Sequence, residues 1–123
     1  VFPMSARWYT VVVDCQDHAK IGRFWSEVLG MPILFEDDNE LVVAKDENTY
    51  PGLLFLNVPG PKESKNRLHI DLAPDDRDAE VERILALGAT KVDIGQTGEE
   101  SWVVLADPEG NEFCVLSARE GGV

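Results

Sequence analysis

Side chains suited to chemistry are few in this chain: two histidines (His18 and His69) and two cysteines (Cys15 and Cys114), against 23 carboxylates and 11 basic groups in 123 residues. His69 and Asp71 are separated by one residue within Arg67 to Leu72 (RLHIDL), a strand-like segment, so alternation sets them on one face. Glu112 and Cys114 share that spacing in the segment Glu112 to Ser117. An imidazole beside a carboxylate can do acid–base work, and a Cys114–His69 pair could act as a nucleophile. The sequence identifies no residue to orient such a pair and no environment to activate the thiol. Both cysteines lie in apolar strand-like segments outside any CxxC motif and read as reduced, buried thiols. His18 falls in the first turn of a helix and reads as a surface residue. A nucleophile elbow, a Walker loop, a dinucleotide fingerprint and HExxH are all absent from the sequence.

The elements that must position these residues come in two copies. Trp8 to Ile33 and Arg67 to Val92 each read as a strand, an acidic cap, an amphipathic helix, Leu-Gly and a further strand. In the first copy, TVVVDC (Thr10 to Cys15) predicts a strand, and Ile21, Phe24, Trp25, Val28 and Leu29 predict one apolar helix stripe closed by Gly30. Strands are expected over Met31 to Phe35, Glu40 to Lys45 and Gly52 to Val58. In the second copy, a strand at Leu68 to Leu72 precedes a helix with Val81, Ile84 and Leu85 buried and Gly88 at its end. Strands at Ala89 to Ile94, Ser101 to Ala106 and Glu112 to Ser117 follow, with a loop at Gly95 to Glu100 and a type I turn at Asp107-Pro108-Glu109-Gly110. The reading is α+β: tandem βαβββ modules at about 7–58 and 67–118, joined by a linker at 59–66. Curved mixed sheets are expected to enclose a groove, with helices on the outer face. At 123 residues the two copies are expected to be halves of one domain spanning 1–123.

A formal charge of -12 and a pI near 4.4 argue against nucleic acid as a partner and favour a basic ligand. The plainer account is that the excess acid keeps the chain soluble. No apolar run approaches the roughly 20 residues that span a bilayer, and no signal peptide is legible, so a cytoplasmic location is expected. Val1 to Ser5 could hold a natural start at Met4.

FWSEVLGM (Phe24 to Met31), RLHIDL (Arg67 to Leu72) and WVVLADPEGNEFCVL (Trp102 to Leu116) resemble the vicinal oxygen chelate superfamily, which includes glyoxalase I, extradiol dioxygenases, fosfomycin resistance enzymes and bleomycin resistance proteins. The likeness is strongest to its small glyoxalase-like subgroup. It implies that, in metal-dependent members, four side chains from the first and last strands of each module hold a divalent ion. The first-strand positions correspond here to Thr10 and His69, and the last-strand position of the second module to Cys114. The fourth lies within Leu53-Leu54-Phe55-Leu56, where no residue is a ligand. A catalytic metal needs about three protein ligands. No cofactor is therefore expected; were a metal held, His69, Glu112 and Cys114 would be its ligands.

Strand alternation then lines a cleft with Trp8, Thr10, His69 and Asp71, with Phe35, Phe55 and Trp102 as flat walls and Cys114 at the last strand. Ile70 and Leu72 should face the helices, and Trp25 should pack in the core. An apolar, aromatic cleft with few polar groups suits an organic ligand. The expected function is metal-free binding that sequesters a hydrophobic or cationic small molecule such as an antibiotic. The alternative is a metal-dependent lyase, isomerase or dioxygenase of the same superfamily. A third possibility is a metal-free enzyme using His69 and Asp71. By resemblance a homodimer is expected, with no nucleic-acid or membrane partner.

Overall fold

The computed structural model describes residues 8–63, 66, 68–92 and 101–118. Met4, Arg67, the strand end at 93–94 and the loop read over Gly95 to Glu100 lie outside these residues. The chain divides into two compact units, Val1–Gly60 and Pro61–Val123, and the boundary falls in the segment read as a linker. Among the described residues no helix is long and apolar enough to cross a membrane.

Unit 1 runs β1 (Thr10–Cys15), α1 (His18–Leu29), β2 (Ile33–Glu36), β3 (Glu40–Val43) and β4 (Gly52–Asn57). The Asp17 carboxylate accepts the Lys20 N–H at 3.1 Å and so caps α1. Gly30, at φ 65°, ends the helix in the left-handed conformation that the sequence leads one to expect. Ile21, Phe24, Trp25 and Val28 are buried on the inner stripe of α1, which packs over β2, β3 and β4. The sheet order is β1-β4-β3-β2, with β1 parallel to β4 and the other pairs antiparallel. Strand alternation separates its two faces. Cys15, Leu41, Val43, Leu53 and Phe55 are buried with the helix, while Thr10, Glu40, Val42 and Leu54 point to the opposite side.

Unit 2 repeats the topology: β5 (Asp71–Leu72), α2 (Arg77–Leu87), β6 (Thr90–Lys91), β7 (Val103–Ala106) and β8 (Glu112–Val115), in the order β5-β8-β7-β6. Asp76 caps α2 by accepting the Ala79 N–H at 3.1 Å. Val81 and Ile84 are buried, whereas Leu85 is only half-buried. The β7–β8 turn forms as its residues suggest, with Gly110 N–H donating to the Asp107 carbonyl at 2.9 Å. Strand β5 is shorter than expected because Asn66 replaces part of its ladder. The Asn66 amide donates to the carbonyls of Leu68 (2.8 Å) and Glu112 (3.1 Å), bridging the strand approach to the start of β8.

Candidate functional site

Each unit carries a pocket on the sheet face away from its helix. In unit 1 the pocket measures about 560 Å³. Its polar side chains include Glu40, Asp46 and Glu47, and its aromatic ones are Tyr9, Phe35 and Tyr50. The rings of Tyr9 and Tyr50 are tilted against each other at 5.4 Å, and all three aromatic side chains remain exposed. Phe35 reaches the pocket through a register shift between Ile33 and Phe35, a β-bulge that also brings in Leu34. The Thr10 hydroxyl donates to the Gly52 carbonyl at 3.1 Å. Asp46 is fixed by its own turn: the Thr49 hydroxyl (2.8 Å) and the Asn48 N–H (2.9 Å) hold its carboxyl below the usual range.

Two expectations for this unit are corrected. Phe55 is fully buried on the helix side of β4 and cannot wall the pocket; Leu54 occupies the pocket side. Trp8 precedes β1, is 66 % exposed and is not among the side chains lining either pocket. His18 lies partly exposed in the first turn of α1, in keeping with a surface position: its Nε2 meets the Asp37 carbonyl at 2.8 Å, and that bond is the main cause of its raised pKa. Tyr9, Tyr50, Glu40, Asp46 and Glu47 are pocket residues that the sequence reading missed. Tyr50 lies between two expected strands, where strand alternation assigns it no face.

In unit 2 the pocket measures about 340 Å³ and is lined by His69, Asp71, Trp102, Cys114, Glu112 and Asn66, with apolar neighbours. The structure thus assembles five residues singled out from sequence, and adds Asn66, which the sequence offered no reason to choose. Asp71 and Cys114 are directly paired across the parallel β5–β8 ladder. His69 lies two residues before Asp71 on the same face, with Nδ1 at 2.9 Å from the Asp71 carboxylate. One ligand atom from each of His69, Asp71 and Cys114 lies within 4.8 Å of the others. Burial pushes the Cys114 thiol pKa up, with smaller contributions from the Asp71 charge and from the hydrogen bond to Asp71. The thiol is therefore held protonated, which is the opposite of an activated nucleophile.

The grouping also corrects the set expected for a metal. Glu112 does face the same way as Cys114, but its carboxylate pairs with Lys62 Nζ at 3.4 Å. Asp71 takes its place beside His69 and Cys114. Register resolves the position left open in the first module. Val12 pairs with Leu54 as Asp71 pairs with Cys114, so Thr10, Val12 and Leu54 are the counterparts of His69, Asp71 and Cys114. A four-donor set drawn from both modules does not fit these residues, because Leu54 has no donor atom and the Thr10 hydroxyl already serves Gly52.

The family model described as a glyoxalase-like domain matches residues 10–116. No curated protein sequence matches the chain. Among solved structures, the fold is similar to the trypanothione-dependent glyoxalase I of Leishmania major, with TM-score 0.70, 18% identity, and 92% of this chain and 87% of that chain covered. It is similar to TnmS3, an antibiotic binding protein from Streptomyces sp. CB03234, with TM-score 0.65, 20% identity, and coverage of 96% and 100%. A bleomycin resistance determinant encoded on transposon Tn5 aligns with TM-score 0.59, 19% identity, and coverage of 93% and 99%. At these identities the likeness establishes the fold, and the neighbours include both an enzyme and an antibiotic binder.

Proposed function

This chain belongs to the glyoxalase-like domain family, and from that premise we propose that it binds a small, cationic, aromatic organic molecule without converting it. The observation that carries this reading is the pocket of unit 1, where the exposed rings of Tyr9, Phe35 and Tyr50 stand beside the carboxylates of Glu40, Asp46 and Glu47. Among the described residues, its lining includes no histidine, cysteine or basic residue. Aromatic faces attract organic cations by about 0.5–2 kcal/mol per contact, and carboxylates at the rim add Coulombic attraction. The net charge of -12 favours approach of a cation over an anion. The pocket volume suits a drug-sized ligand. The antibiotic-binding and bleomycin-resistance neighbours lend support at the level of the fold.

Titration calorimetry with proflavine, a planar cation, tests the reading against naphthalenesulfonate, an aromatic anion. Proflavine is expected to bind with Kd near 1 μM, about 8 kcal/mol, and to be recovered chemically unchanged. Phe35→Ala and Tyr50→Ala should each weaken it about tenfold, or about 1.4 kcal/mol. Affinity weaker than about 1 mM, equal affinity for the anion, or consumption of the dye would overturn the proposal. A second reading, acid–base catalysis, is favoured by the His69–Asp71 contact, which orients one ring nitrogen and leaves the other for proton transfer.

A further inference from the structure

We infer that His18 and Arg23 of α1 are positioning residues for the unit 1 pocket: they hold the β2–β3 hairpin that carries Phe35 and Glu40, and protonation of His18 tightens that hold. This role rests on the cation-binding reading of unit 1 and adds what regulates it.

Strand β2 needs support from outside its sheet. It is the outer strand in the order β1-β4-β3-β2, and the register shift between Ile33 and Phe35 interrupts its ladder with β3. Yet Leu34 and Phe35 on this strand line the pocket, and Glu40 opens the strand that follows. Helix α1 supplies the support at both ends of β2. Before the strand, the Ser26 hydroxyl donates to the Met31 carbonyl at 2.6 Å. After Phe35, the Arg23 guanidinium grips the Glu36 carboxylate with two hydrogen bonds, of 2.8 and 3.0 Å. One residue later His18 Nε2 meets the Asp37 carbonyl at 2.8 Å. The Asp37 carboxylate turns back to accept the N–H groups of Asn39 (2.8 Å) and Glu40 (2.9 Å), so a shift of Asp37 moves the start of β3 with it. Neither His18 nor Arg23 lines the pocket, and both act through the hairpin.

A carbonyl can only accept, so Nε2 carries the proton in the neutral ring and Nδ1 is the atom that titrates. Nδ1 is buried without a hydrogen-bond partner. Its protonation makes the Nε2 bond charge-assisted and therefore stronger. The Asp37 carbonyl is the largest influence favouring the cation; burial opposes it, and Asn57 at the end of β4, Glu36 on β2 and Asp17 at the cap of α1 add to it. The ring's pKa thus lies above its ordinary 6.5, so the charged clamp is complete below about pH 6.5 and is lost as pH rises through the raised value. Carboxylates ordinarily stay ionised across that window. The sign separates the clamp from plain repulsion. A positive charge gained at His18 would by itself disfavour a cationic ligand, whereas a better-held hairpin favours it.

The test uses the full chain, with circular dichroism confirming the fold of each variant. Without ligand, the Asp37 N–H, which bonds the Glu40 carbonyl at 3.0 Å, reports the hairpin by NMR hydrogen exchange. Its protection factor should be about threefold higher at about pH 6 than at about pH 8. His18→Gln keeps a donor for the Asp37 carbonyl but cannot titrate, so it should lose this pH dependence. His18→Ala and Arg23→Gln should each lower protection about threefold, and Arg23→Lys should restore part of the loss. Proflavine, cationic throughout, should bind the wild type about threefold more tightly at about pH 6 than at about pH 8, and His18→Gln equally at both. Saturating proflavine should in turn raise the His18 pKa read by NMR, because linkage is reciprocal. Proflavine affinity that falls with pH, a pH dependence that survives His18→Gln, or protection indifferent to both His18→Ala and Arg23→Gln would overturn the inference. Loss of proflavine binding alone, with the exchange pattern as expected, would overturn the ligand reading of unit 1 and still show the hairpin clamp.

Discussion

A methyl group added at Gly22 tests the packing that fixes which face of the first sheet is free for ligand. Gly22 lies in the middle of α1, where alanine would ordinarily stabilise by about 0.8–1 kcal/mol through helix propensity. The structure reverses that sign. A Cβ at Gly22 would overlap the isopropyl group of Leu41, with Cγ at 3.0 Å and Cδ1 at 2.9 Å. Leu41 is fully buried on the helix face of β3, so its side chain has no open space to enter. Overpacking of this kind costs about 1–3 kcal/mol, which leaves Gly22→Ala a net loss of about 1 kcal/mol. Leu41→Ala alone should cost about 2–5 kcal/mol by opening a cavity. In that background Gly22→Ala should instead stabilise by about 1 kcal/mol, since the helix gain remains and the clash is gone. Urea unfolding followed by circular dichroism reads all four corners of the cycle, and the coupling energy should be about 1–3 kcal/mol. Gly22→Ala stabilising by about 1 kcal/mol in both backgrounds would refute the assigned contact between α1 and β3.

Two further outcomes follow from unit 2. Asp71→Asn should speed alkylation of Cys114 by iodoacetamide at fixed pH, because it removes the carboxylate charge that helps to raise the thiol pKa while burial still acts. Mass spectrometry of the metal-free protein measures the rate at Cys114, and an unchanged or slower rate would contradict the contact. Asp107→Ala should destabilise by about 1–3 kcal/mol in urea unfolding, because it strips a buried acceptor from the N–H groups of Glu109 and Asn111, each at 2.9 Å. Asp107→Asn should cost less, since its amide oxygen can still accept; equal losses for the two variants would argue against this account.

Much of the architecture was written in local signals. The repeated pattern of strand, acidic cap, amphipathic stripe and Leu-Gly specifies two βαβββ units, and caps at Asp17 and Asp76 start both helices where they were expected. Such features depend on residues a few positions apart, so one stretch of chain contains the whole cause. The side chains of the candidate sites were legible only as sets sharing a strand face, namely His69 with Asp71 and Glu112 with Cys114.

What the sequence by itself determined is the topology, the acidic character and the face-sharing of neighbours along each strand. Tertiary structure decided which sets meet and which face of each strand is free. Leu53-Leu54-Phe55-Leu56 is apolar on both sides, so alternation divides it in two without saying which half turns to the helix; packing under α1 sends Phe55 inward and Leu54 to the pocket. The bulge at Ile33–Phe35 carries Phe35 to the pocket against simple alternation. Asp71 rather than Glu112 joins His69 and Cys114 because β5 pairs with β8 in that register. Each of these outcomes depends on contacts between residues distant in the chain, which a local pattern leaves undetermined.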